Sequence, residues 1–155
     1  MCDVLFLPET PTIKKNDKGY KYLFVIVDLA TDEFDMEPMK ELNSEATLVA
    51  MKTCFKRSYL NKPEYSLKTD GGAEFKGVFN KYLYDQNILH KGIVAGRHSS
   101  MGNVESLNRQ LSRLLNLYMN GIEEDTGKKY TNWLPAVAII RKDLNKLRKK
   151  KLPEN

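Results

Sequence analysis

The first forty residues alternate between apolar runs and polar breaks in a way that predicts three strands. Asp3-Val4-Leu5-Phe6-Leu7 is short, apolar and stopped by Pro8. Pro8 to Gly19, with two prolines and the run Lys14-Lys15-Asn16-Asp17-Lys18-Gly19, reads as a turn-forming connection. Within Tyr20 to Leu29, the stretch Tyr22-Leu23-Phe24-Val25-Ile26-Val27 is near-continuously apolar, aromatic and β-branched. Such a run marks a central strand covered on both faces. After a turn at Ala30-Thr31-Asp32, residues Glu33 to Met39 alternate, with Phe34, Met36 and Pro38 on one side and Asp35 and Glu37 on the other. That pattern predicts a half-exposed strand, and the short links make the three strands an antiparallel meander.

The pattern then changes to a helical period. Asn43 or Ser44 can cap a helix whose Leu48, Met51 and Phe55 share a stripe. Tyr65 to Thr69 is a fourth strand, and Ala73 to Asn87 carries Phe75, Val78, Phe79, Tyr82 and Leu83 at helical spacing. Ile88 to Val94 is a fifth strand, parallel to the fourth because a helix joins them. The expected class is α/β: a mixed five-stranded sheet, three antiparallel then two parallel strands, flanked by helices.

Ala95 to Gly102 has the glycine, serine and basic content of a loop, and from Asn103 the chain is helical again. Val104, Leu107, Leu111, Leu114 and Tyr118 form its apolar stripe, whereas Glu105, Asn108, Arg109 and Ser112 share another face. Gly121 to Lys129 reads as an acidic-then-basic turn. Tyr130 to Arg148 is a last helix with Trp133, Val137, Ile140, Leu144 and Leu147 inward, and Arg141, Lys142, Lys146 and Arg148 on a basic side.

Composition narrows the class. The 155 residues are 41% apolar and 29% charged, the balance of one folded soluble domain rather than a disordered chain. The whole of 1–155 is therefore expected to be a single domain, excised from a longer protein. A net charge of +5 and a pI near 9.1 favour a polyanionic partner, since Lys and Arg neutralise phosphates. Cys2 and Cys54 read as free thiols of a reducing compartment. With no apolar window of membrane length and no basic-then-apolar leader, the expectation is an intracellular protein without a membrane partner.

The chemistry concentrates in two segments. Asp70 follows a strand and precedes Gly71-Gly72, so its carboxylate projects from a strand tip; Glu105 lies in the first turn of a helix and faces away from the core. Each has an ordinary alternative: a turn residue for Asp70 and a favourable first-turn charge for Glu105. Together with a third acid they would form an oxygen-donor set suited to Mg²⁺ or Mn²⁺. Two histidines and two cysteines at these spacings do not make a zinc site.

Gly19-Tyr20-Lys21-Tyr22-Leu23 through Val27-Asp28-Leu29-Ala30-Thr31, then Thr69-Asp70-Gly71-Gly72-Ala73-Glu74-Phe75, then Val104-Glu105-Ser106-Leu107-Asn108-Arg109-Gln110-Leu111, resemble the catalytic core of retroviral-type integrases, on the ribonuclease-H-like plan. The tyrosine-rich first hairpin is most similar to integrases of Maverick or Polinton elements and related DNA viruses. Two departures stand out: Ser106 replaces the usual Arg after the helix Glu, and the 34 residues between Asp70 and Glu105 are one fewer than is customary.

The resemblance implies a DDE-type polynucleotidyl transferase with endonuclease activity that integrates transposon or viral DNA. Asp3, Asp70 and Glu105 would be its catalytic acids and metal ligands, with Asp28 the alternative first acid. It implies two Mg²⁺ (or Mn²⁺) ions, DNA partners in the form of element ends and target DNA, a homodimer or higher oligomer, and nuclear action. Lys68, Arg97, His98, Asn108 and Arg109 are the candidate DNA contacts. Two rivals remain open at this point: an inactive integrase-derived DNA-binding or assembly module, and a ribonuclease-H-like nuclease that cuts without joining.

Overall fold

The structure, a computed structural model, describes residues 1–92 and 102–149. Strands β1 (Cys2–Phe6), β2 (Tyr22–Val27) and β3 (Phe34–Met39) form an antiparallel sheet in the order β1-β2-β3. The register sets Asp3 opposite Val25, and Val25 opposite Met36. Strand β2 is central because all its side chains from Leu23 to Val27 have a core to enter. Leu23, Val25 and Val27 pack with Val104, Leu107, Leu111 and Trp133 on one face. Phe24 and Ile26 pack with Met51, Cys54, Leu67 and Phe79 on the other. Burial of each such side chain contributes roughly 1.5–3 kcal/mol, so the alternation of one strand ties together two helical layers.

Helix α1 (Ser44–Lys56) is capped by Asn43, whose side chain accepts from Ala46 N–H. Strand β4 (Ser66–Thr69) leads through a 3₁₀ turn (Ala73–Phe75) into α2 (Gly77–Asp85) and then into β5 (Leu89–Gly92), which pairs with β4 in parallel. The single helix expected over Ala73 to Asn87 is thus broken at Gly77, where φ is +57°, a conformation that glycine adopts without a Cβ penalty.

The expected single five-stranded sheet is instead two sheets: the antiparallel β1-β2-β3 and the parallel β4-β5. Strand β4 lies beside β1, but no ladder joins them. Val27 N–H donates to Met1 O and Leu7 N–H to Lys21 O, so odd-numbered residues of β1 bond toward β2 and even-numbered ones face β4. Of these, the Val4 N–H is already taken by Oδ1 of Asp3 at 2.8 Å. Asp3 thus turns one outward donor of this edge to its own carboxylate.

Helices α3 (Gly102–Thr126) and α4 (Leu134–Lys149) cover the opposite face. Helix α3 runs straight through Gly121, where a turn was expected. Helix α4 also closes the outer edge of β3. Asn145 accepts from Phe34 N–H at 2.8 Å and donates to Phe34 O at 2.7 Å, while Arg141 donates to Met36 O and Arg148 to Asp32 O. Side chains thereby satisfy backbone groups that an edge strand leaves open.

Two expectations change with this arrangement. Asp35 is fully buried rather than solvent-facing, held by Arg57 and Arg141 at 3.0 and 2.5 Å. Arg141, placed on the basic outer side from its sequence position, points inward to reach it, whereas Leu147 is exposed.

Candidate active site

Asp3 stands on β1, next to the edge where β4 ends. Besides the Val4 bond, its Oδ2 accepts from Nδ2 of Asn108 at 3.2 Å. Burial pushes its carboxyl up to about 6, the Val4 N–H works against this, and the negative charges of Asp70, Glu74 and Glu105 raise it further. Acids from the β4 tip, the 3₁₀ turn and the first turn of α3 thus each bear on Asp3 of β1.

Asp70 is fixed by its own turn. Gly72 N–H donates to its Oδ1 at 2.8 Å, and the Thr69 hydroxyl donates to its backbone carbonyl at 3.0 Å. Beside it, the Glu74 carboxylate folds over Gly72 so closely that a Cβ there would lie 2.5–2.6 Å from its atoms. Glu105 is exposed, as expected of the polar face of α3. Asn108, one turn further along, is the residue through which that helix touches Asp3.

Asp28, the alternative first acid, does something else. Its Oδ1 accepts from Ala30 N–H at 2.8 Å and Thr31 N–H at 3.4 Å, closing the β2–β3 turn. It lines a cavity of about 490 Å³ with Lys68, Tyr65 and Leu60, which includes none of the four grouped acids. Lys68 is half-buried on β4 and Arg109 is exposed on α3; Arg97 and His98 lie outside the described residues, as does the end of the expected fifth strand.

Two relationships were not foreseen from the sequence. Asn108, expected as a DNA contact, is the partner of Asp3. Glu74, of the Thr69–Phe75 segment, adds to the field on Asp3. The i, i+3 spacing of Glu105 and Asn108 was the available signal for the first; nothing local to Glu74 carried the second.

No family model matches the chain, and no curated protein matches it in sequence. Solved structures do. A chain of the simian T-cell lymphotropic virus intasome, determined by cryo-EM in complex with PP2A regulatory subunit B56 gamma, superposes with TM-score 0.66 and 21% identity over 90% of this chain. The catalytic core domain of HTLV-2 integrase, in its trimeric form in complex with magnesium, superposes with TM-score 0.66 and 25% identity over 94% of this chain and 83% of its own. The fold is that of a retroviral integrase catalytic core. The chain spans 46% of the intasome chain's length, so it corresponds to a core within a longer protein there.

Within the integrase-core fold the acids meet by charge but are not gathered. Among the described residues, no three Asp, Glu, His or Cys side chains stand close enough to hold an ion as they are. The donor chemistry nevertheless fits a hard divalent cation, because the charged groups that bear on Asp3 are carboxylates. A further fitting feature is Oδ1 of Asn108, buried without a partner beside Asp3.

Proposed function

We propose that the chain is the catalytic core of an integrase that processes 3′ ends of element or viral DNA and transfers them to target DNA, dependent on divalent metal. What supports this reading is an integrase-core fold that carries Asp3, Asp70 and Glu105 on three separate elements, with the Asn108–Asp3 hydrogen bond tying the helix of Glu105 to the strand of Asp3. The tyrosine-rich first hairpin supports a Maverick or Polinton type of source, or a related DNA virus.

Asp3, Asp70 and Glu105 would hold one or two Mg²⁺ or Mn²⁺ ions, which supply activation of an attacking hydroxyl and charge stabilisation of the leaving oxygen. The chain's own residues prepare this site. Asn108 and the Val4 N–H orient Asp3, and the Gly72 N–H orients Asp70. In end processing, a water oxygen forms the new bond to phosphorus as the P–O3′ bond breaks and a free 3′ hydroxyl is left. In strand transfer, that 3′ oxygen attacks a target phosphorus and displaces the target's own 3′ oxygen.

Asp3 is preferred to Asp28 because it shares the field of the other acids, while Asp28 serves its turn. The magnesium complex and trimeric form of the HTLV-2 core support a divalent metal and an oligomer for this chain as well. Lys68 and Arg109, with Arg97 and His98, remain the proposed phosphate contacts, and action in the nucleus follows from the substrate.

Parallel assays of Asp3→Asn and Asp28→Asn on paired DNA ends test the assignment. Loss of joining in Asp3→Asn alone supports it, and loss in Asp28→Asn alone overturns it. Cutting without joining by the native chain would indicate a nuclease; DNA binding with neither activity would indicate an assembly module.

A further inference from the structure

Behind Asp70 runs a chain of polar side chains that links β4, β5 and α2. The Thr69 hydroxyl, fully buried, lies 2.7 Å from Nε2 of His90 on β5, and Nδ1 of His90 lies 2.7 Å from Oδ1 of Asn80 on α2. The parallel register sets His90 opposite Leu67, on the face that α2 covers, and the edge of the Phe79 ring walls the imidazole at 5.9 Å. Both ring nitrogens of the half-buried His90 are thereby engaged.

In a neutral ring, Oδ1 of Asn80 accepts from Nδ1–H of His90, which leaves Nε2 as the acceptor facing the Thr69 hydroxyl. That hydroxyl also lies 3.0 Å from the Asp70 carbonyl, so it is shared between the His90 ring and the Asp70 peptide. At the other end of that residue, Gly72 N–H holds one carboxylate oxygen, so both the peptide and the carboxylate of Asp70 are restrained.

We propose that His90, backed by Asn80, is a positioning residue for Asp70: it fixes the Thr69 hydroxyl, and through it the Asp70 peptide, so that the carboxylate presents one orientation to a divalent metal. The inference rests on the proposed role of Asp70 as a metal ligand. Groups that orient ligands from behind commonly change metal affinity or activity by about 10–100-fold when removed.

The test is the Mn²⁺ dependence of the thermal unfolding midpoint of the whole chain, read alongside DNA joining. The native chain is expected to be stabilised saturably, as a ligand that binds only the folded state requires, and Asp70→Asn to lose that response. His90→Leu is expected to need about 10–100-fold more Mn²⁺ for half the effect. His90→Gln, which returns a carboxamide able to hydrogen-bond the Thr69 hydroxyl near the Nε2 position, is expected to recover most of the loss. An unchanged half-saturating concentration in His90→Leu, or no recovery in His90→Gln, overturns the positioning role while the metal site stands. If the native chain gains no stability, or Asp70→Asn gains as much, the reading of the site fails and takes this inference with it. Should His90→Leu not fold, Thr69→Val against Thr69→Ser makes the same comparison, with loss expected only where the hydroxyl is removed.

Discussion

The carboxamide of Asn108 donates to Oδ2 of Asp3 at 3.2 Å, joining residues 105 positions apart. This bond connects the helix that carries Glu105 to the strand that carries the first acid, and the side-chain oxygen of Asn108 is buried without a partner. Asn108→Ala is expected to lower joining and Mn²⁺ affinity by about 10–100-fold. Its unfolding free energy should change by less than about 1 kcal/mol, because loss of the bond is offset by removal of the orphaned carbonyl. Joining assays and chemical denaturation of the same preparation check both halves.

Asp3 gives the metal-free chain a defined pH dependence. Its folded carboxyl titrates near 6, against 3.8 unfolded, so the folded state holds the proton more tightly. The stability it contributes is present below about pH 4 and is lost as pH rises through about 6, on the order of 2 kcal/mol after allowance for partial exposure. Asp3→Asn should remove this slope and make the metal-free chain more stable than native at pH 7.5. Denaturation curves over pH 3.5–7.5 check it, and parallel profiles for the two chains would contradict it.

The buried pair of Asp35 and Arg141 anchors α4 to β3. Arg141→Met leaves Asp35 with Arg57 alone in a site closed to water. Because Arg57 still partners Asp35, the cost should fall below the about 3–5 kcal/mol of leaving a buried charge unpaired, and urea denaturation at neutral pH should show a destabilisation of about 1–3 kcal/mol.

Phosphate contacts are testable through salt. If Lys68 and Arg109 each neutralise a phosphate, Lys68→Gln and Arg109→Gln should each reduce the slope of log affinity against log salt by about 0.9 on duplex DNA. Fluorescence anisotropy across salt concentrations measures it; an unchanged slope removes that residue from the interface.

The sequence made the strands legible because β2 is apolar at every position from Tyr22 to Val27 and the meander links are short. Its limits are physical. The spacing of Phe34, Met36 and Pro38 could not show that Asp35 would be buried, because the two arginines that neutralise it lie 22 and 106 positions away. The break at Gly77 was hidden by an apolar pattern that fits one helix or two short ones. The split of the sheet beside β1 lies between strands whose local patterns both read as strand, so nothing in either run marks it. Asp70 and Glu105 were visible because their local motifs are distinctive, while the roles of Asn108, Glu74 and His90 exist only in the assembled fold.

The central claim is that Asp3, Asp70 and Glu105 together support metal-dependent joining of DNA ends. Strand transfer in Mn²⁺ by Glu105→Gln, compared with the native chain at matched far-ultraviolet circular dichroism, addresses it most directly. The account expects an intact fold and joining reduced by about 10³-fold or more, the scale of removing a principal source of transition-state charge stabilisation. Undiminished joining by Glu105→Gln would contradict it.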